Sequence, residues 1–204
     1  AVKVGEGQFQ PALKPEHSLI GVEAGRRATL LYSPNGPLSR EELDAIDIQI
    51  NSLLLDRLLP QGPIVVGQGR PLDEDLLAAM LGLDEVSKSD VRATLKEVVE
   101  PLARFELTGA VKGTAGGAAT EIELKGRFRF DLRWRRVDWL GLLIKEDRRI
   151  GPSADGVEAV SRLQITVAPA KEAEELADAA LAKLDLNPGG ESACLVYDFP
   201  GGGG

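Results

Sequence analysis

The sequence predicts an α+β fold: a curled antiparallel β-meander with a few helices packed on one face. Between Ala103 and Val167 apolar residues recur at every second position, the spacing of half-buried strands. Before residue 82, and again after Lys171, they recur three and four apart, as on the buried face of a helix. Short glycine-containing loops separate the strands, and such loops join neighbours antiparallel. With 204 residues, 43% hydrophobic and 27% charged, the chain is long enough to bury a real core. It reads as one domain over 1–200, with glycines 201–204 as a flexible tail.

The first 38 residues are rich in glycine and proline, with one strand expected at Arg27 to Tyr32. Ser39 and Glu42 have the S-x-x-E spacing of a capping box, in which hydroxyl and carboxylate each satisfy a free N–H at a helix start. Leu43, Ile46, Ile50 and the run Leu53 to Leu59 then predict one bent helix or two short ones, broken at Asn51-Ser52 and stopped by Pro60. The β-branched run Ile64 to Val66 predicts a short strand. Pro71 to Asp75 leads into a second helix, which buries Leu76, Leu77, Met80 and Leu81 and stops at Gly82. Asp90 to Val99 fits both periods, and strand is favoured because the next segment alternates too.

From Ala103 the alternation is clear. Phe105, Leu107 and Val111 face one way, Arg104, Glu106 and Lys112 the other, and the loop Gly113 to Gly117 closes a hairpin. Ile122, Leu124, Phe128, Phe130, Leu132 and Trp134 then alternate with charged residues in a strand of about fourteen residues, long enough to require twist or curl, with Gly126 as a place to bend. The phase slips at Arg135-Arg136, so a turn or bulge is required there and Val137 and Trp139 become the apolar positions of the next strand. A fourth strand covers Val157 to Val167. Lys171 to Leu186 reads as helix, and Ala193 to Phe199 as a last short strand.

The net charge of −8 disfavours attraction to nucleic acid or anionic lipid over the surface as a whole. The sum hides an asymmetry: nine basic and four acidic residues fall between Lys125 and Arg149, so that stretch carries +5 and the remainder −13. The apolar run Trp139 to Ile144 is of strand length and no run approaches the length of a spanning helix, so no integral membrane segment is expected. One cysteine, Cys194, and one histidine, His17, exclude an internal disulfide, a Cys-rich zinc site and a His-based metal cage, and no cofactor is expected. The chain begins at Ala1, which reads as a processed mature form or an excised fragment lacking its N-terminus.

Phosphate-loop, nucleophile-elbow, zinc-protease, C-x-x-C and calcium-loop motifs are absent from the sequence. His17 reads as a satisfied or exposed histidine and Cys194 as a small buried hydrophobe. Carboxylates are the remaining catalytic material, since a suitably spaced pair can divide acid and base roles; the candidates are Asp73, Glu74, Asp75, Asp131 and Asp138. The first three are also explained as charge at a helix start.

Period two places Arg127, Arg129, Arg133 and Arg135 on one face of one strand. Such a guanidinium row is either a solvated sheet face paired with residues such as Glu106, Glu146 or Glu158, or a surface for an anion or a partner protein. A nucleic-acid platform needs aromatics between the charges, and here Phe128, Phe130 and Trp134 fall on the opposite side, so no nucleic-acid partner is expected. Phe128, Phe130, Trp134 and Trp139 form core beneath the helices or, where the helices leave the sheet uncovered, a trough for an apolar ligand.

The strands Ala103 to Val111, Glu121 to Trp134, Val137 to Glu146 and Val157 to Val167, with their Gly-containing hairpins, resemble the half-barrel, lipoprotein-carrier-like domains of bacterial cell-envelope proteins. They are similar, too, to exported bacterial proteins with the same succession of strands. The resemblance implies a periplasmic or secreted location and non-covalent handling of an apolar small molecule or an envelope partner protein. The expected function is a non-enzymatic exported domain binding through its sheet. The alternatives are a carboxylate-based hydrolase and a structural or assembly component.

Overall fold

The alternation over residues 92–166 becomes sheet, and the computed structural model places five successive strands in unbroken meander order. It describes residues 2–4, 7–9, 13–24, 29–46, 50, 52–59, 61–152, 156–169, 177–184 and 186. The sequence reads as one domain, while by contacts the chain divides into two compact units. One comprises Ala1–Gly25, Thr29–Ile48 and Ala170–Gly204, the other Arg26–Ala28 and Gln49–Pro169.

In the terminal unit, β1 (Val2–Val4) pairs antiparallel with β2 (Gly7–Phe9), and β3 (Gly21–Ala24) with β4 (Thr29–Tyr32). The expected strand at Arg27 to Tyr32 corresponds to β4, and three further short strands occupy what reads as loop. Helix α1 (Arg40–Ile46) begins at the predicted capping box: Glu42 N–H donates to Ser39 Oγ at 3.2 Å, and Ser39 N–H to Glu42 Oε2 at 2.9 Å. Buried His17 lies with Nδ1 2.8 Å from Glu42 Oε1, which also accepts the Lys14 N–H at 3.1 Å. The described part of the helix expected over Lys171 to Leu186 is a single turn, Asp178–Leu181. The strand expected at Ala193 to Phe199, Cys194 and the tail 201–204 lie outside the described residues.

The central unit starts with a 3-10 helix, Ser52–Leu58, so the helical run from Arg40 takes the form of two short helices. Next come β5 (Gly69–Pro71), α2 (Glu74–Leu81), β6 (Glu85–Ser89), β7 (Arg92–Val99), β8 (Leu102–Ala115), β9 (Ala118–Asp131), β10 (Arg136–Arg148) and β11 (Val157–Thr166). The strand expected at Ile64 to Val66 is not formed. The chain turns at Val66-Gly67, where Gly67 has φ +86°, and the three residues that pair with β7 are those after the turn. Helix α2 is capped as its sequence dictates: Asp73 Oδ1 accepts the Leu76 N–H at 2.9 Å, and left-handed Gly82 ends it.

The seven-stranded sheet is antiparallel at every pairing, in the order β11-β10-β9-β8-β7-β5. β6 shares with β7 one edge of the long β8, whose first half pairs with β7 and second half with β6. Where the two meet, Asp90 and Ala110 exchange hydrogen bonds, and the Val91 backbone crosses Gly109 so closely that a Cβ there would lie 2.5 Å from Val91 Cα. Register shifts at Val86/Lys88, Leu95/Glu97 and Val137/Trp139 are bulges, which bend their strands.

One face of this sheet is core. Leu54, Leu55 and Leu58 of the 3-10 helix and Leu76, Leu77 and Met80 of α2 join Phe105 and Leu107 of β8, Ile122, Leu124 and Phe128 of β9, and Leu140, Leu142 and Ile144 of β10 in one buried cluster. Each such side chain contributes about 1.5–3 kcal/mol by leaving water. Phe105 and Phe128 are cross-strand partners with rings stacked at 4.6 Å.

Candidate functional site

β9 separates the two faces of the sheet. From Ala118 to Leu124 its even positions are buried and its odd ones exposed, and Phe128 continues the buried row while Arg127 remains in solvent. The outward face carries Lys125, Arg127 and Arg129, as alternation requires. Its neighbour β10 contributes Trp139, opposite Arg129, and Gly141, opposite Arg127.

The bulge puts Trp139 there. Val137 pairs with Phe130 and Trp139 with Arg129, so Asp138 is the extra residue and the strand's phase inverts across it. Val137 keeps the expected buried position, whereas Trp139 faces outward, contrary to expectation. Its indole lies over Gly141, where a Cβ would stand only 2.7 Å from the ring. Two shallow hollows of about 490 Å³ each meet at this ring and share Glu106 and Arg127. One extends over Lys96, Glu97, Arg104 and Arg129, the other over Thr108, Lys125, Leu143, Arg162 and Gln164.

Charges on this face are only partly matched. Arg129 holds Asp138 through Nε–H to Oδ1 at 2.8 Å and Nη2–H to Oδ2 at 2.9 Å, and this bond raises the guanidinium's pKa. Lys96 pairs with Glu106 at 3.0 Å and Arg104 with Glu97. Thus Glu106 neutralises Lys96 rather than the arginine row, and Glu146 pairs with Arg148. Among the described residues Lys125, Arg127 and Arg162 have no ion-pair partner, which leaves three cations in excess around the indole.

The other predicted site residues are dispersed. Phe128 is core and Phe130 packs at the margin of the core. β9 ends at Asp131, whose Oδ1 accepts the N–H of Arg133 at 2.7 Å and of Trp134 at 3.1 Å, folding Leu132 to Arg135 into a turn. Those bonds, that of Trp134 foremost, lower the Asp131 pKa. Trp134 therefore leaves the inward row and is half exposed, and Arg133 and Arg135 leave the guanidinium row, Arg135 with φ +54°. The four aromatics do not line one trough, and only Arg127 and Arg129 share the strand face.

Three of the candidate carboxylates have structural partners: Asp73 caps α2, Asp131 forms the turn and Asp138 holds Arg129. Glu74 and Asp75 lie in the first turn of α2. Among the described residues no group of three His, Cys, Asp or Glu side chains is placed to hold a metal ion, and no helix is long and apolar enough to cross a membrane. Sequence reasoning missed Gly141 and Arg162. The W-x-G spacing is the signal for Gly141, because on one strand face an aromatic two residues from a glycine can cover it. Arg162 reaches the site only through the β10–β11 register, which sequence spacing does not fix. Compared with known proteins, the chain matches no family model, no curated protein and no solved structure.

Proposed function

We propose that the central unit is a non-enzymatic binding domain that takes a partner protein across the outward face of its sheet. The observation that carries this reading is the Trp139 indole, half-buried over Gly141 between two hollows, with Lys125, Arg127 and Arg162 unneutralised around it. An aromatic ringed by cations suits a partner segment with apolar and acidic side chains, since Trp and Arg anchor interfaces more than other residue types. An apolar ligand beneath the helices has less support, because Phe128, Leu76 and Leu58 fill that side. For a hydrolase, Asp73, Asp131 and Asp138 are already engaged. Placement in the periplasm or outside a bacterial cell rests on the resemblance to half-barrel envelope domains.

A photo-crosslinking residue at Thr108, on the face, with a control at exposed Glu74 on α2, tests the reading in cells. A discrete protein adduct at position 108, absent at 74 and reduced by Arg127→Glu, supports it. No adduct, or equal adducts at both positions, contradicts it.

A further inference from the structure

One end of the sheet gathers features that neither the core nor the outward face uses. There the β7–β8 turn lies beside the β9–β10 turn, joined by the Leu132 N–H to the Pro101 carbonyl at 2.8 Å. Gly67 N–H donates to Leu95 O at 2.8 Å, and the chain before it folds back in a turn closed by Gln68 N–H to Val65 O at 3.0 Å, so Val65 and Val66 belong to that turn and not to this end. At this end Val98, Val99, Leu132 and Trp134 are all exposed, Trp134 by 50% and Val99 by 57%. Interleaved with them are exposed Arg133, Arg135 and Arg136, none of which has an ion-pair partner among the described residues. The acids nearby are Glu100, Asp131 and Asp56; Asp131 already accepts the N–H groups of Arg133 and Trp134, and Asp56 that of Val137 at 2.9 Å.

From this end we infer a peripheral contact with an anionic lipid surface. Trp and short aliphatic side chains favour the headgroup region, and arginines lay apolar stems against it while their guanidinium groups meet lipid phosphates. Charge complementarity selects this occupant: three arginines without ion-pair partners among the described residues crown an apolar patch on a chain whose net charge of −8 disfavours anionic surfaces as a whole. Asp131 makes the tip a fixed shape, because its carboxylate holds the backbone of Arg133 and Trp134. The contact engages the end of the sheet and leaves the face around Trp139 open.

The test uses the full chain with vesicles of phosphatidylcholine containing phosphatidylglycerol, and with phosphatidylcholine alone. In a Trp139→Phe protein, the emission of Trp134 should shift to the blue, and brominated lipid should quench it, with the anionic vesicles only. Replacing Arg133, Arg135 and Arg136 by Gln should weaken cosedimentation about 100-fold at low salt, with the thermal midpoint unchanged because all three are exposed. The inference is overturned if the protein does not sediment with anionic vesicles, or if it does so without quenching of Trp134. It is also overturned if the triple variant binds as well as the parent, or if Trp134→Ser instead dissolves a dimer seen by sedimentation. None of these outcomes bears on crosslinking at Thr108, so the two proposals fail separately.

Discussion

Arg129 grips Asp138 with two parallel hydrogen bonds, and the aspartate it grips is the residue that breaks the sheet's alternation. The pair fixes the bulge, and the bulge turns Trp139 outward. Asp138 is nearly buried while the Arg129 side chain is 38% exposed, so solvent screens part of the attraction. Arg129→Ala should cost about 1–2 kcal/mol in urea unfolding, chiefly by leaving Asp138 without its donor. Arg129→Lys should recover only part, because an ammonium cannot form the fork. An alanine variant as stable as the parent would show that the clasp does not hold the bulge.

Trp139 and Gly141 make a separate prediction. A side chain at 141 meets only the far edge of the indole, which can swing away. Gly141→Ala should therefore change stability by less than about 1 kcal/mol yet lift the ring into water. In a Trp134→Phe protein the remaining emission should shift to the red and acrylamide quenching should rise; unchanged emission would mean that the ring does not lie on the glycine.

Gly109 differs because its obstacle is backbone. A Cβ there would approach Val91 Cα at 2.5 Å and Val91 N at 2.8 Å, with φ at +145°. Gly109→Ala should destabilise the central unit by about 3 kcal/mol or more, visible as a lowered urea midpoint. A cost as small as that at Gly141 would remove the proposed crossing of Val91 over β8.

Acid should act through carboxylates. Hydrogen bonds from the Ser39 N–H first, then the Lys14 N–H and the His17 and Ser39 side chains, outweigh desolvation and hold the Glu42 pKa at about 2 instead of 4.5. Between those values the unfolded chain binds the proton and the folded chain does not, so stability rises with pH through that window. The contribution is complete above pH 4.5 and is lost as pH falls toward 2. Asp131 and Glu121, both lowered, act in the same direction. Thermal midpoints measured against pH should fall less steeply in acid for Glu42→Gln than for the parent, and identical slopes would contradict the assignment.

Local signals proved legible because local physics decides them. Ser39 and Glu42 announced α1, Asp73 and Gly82 bounded α2, and strict alternation fixed which side of β9 is buried. What depended on tertiary contacts was not legible. Trp134 continues the inward period, but Asp131 captures the next backbone N–H groups and ends the strand three residues sooner than alternation alone implies. The slip at Arg135-Arg136 was visible as a need for a turn or bulge; the structure uses both, and the extra residue decides where Trp139 points. Ile64 to Val66 has strand composition without a strand's partner. For His17, nothing nearby in sequence indicates Glu42, its neighbour across 25 residues.

The two-sided character of β9 is the claim from which the proposed binding face follows. Single cysteines introduced in turn from Glu121 to Phe130, in a Cys194→Ser background, can be timed for reaction with a thiol reagent in the folded protein. The expected result alternates, with positions 121, 123, 125 and 127 reacting freely while 122, 124 and 128 are protected and react only through opening of the fold. Uniform rates along the strand, or fast reaction at 128 with protection at 127, would contradict it.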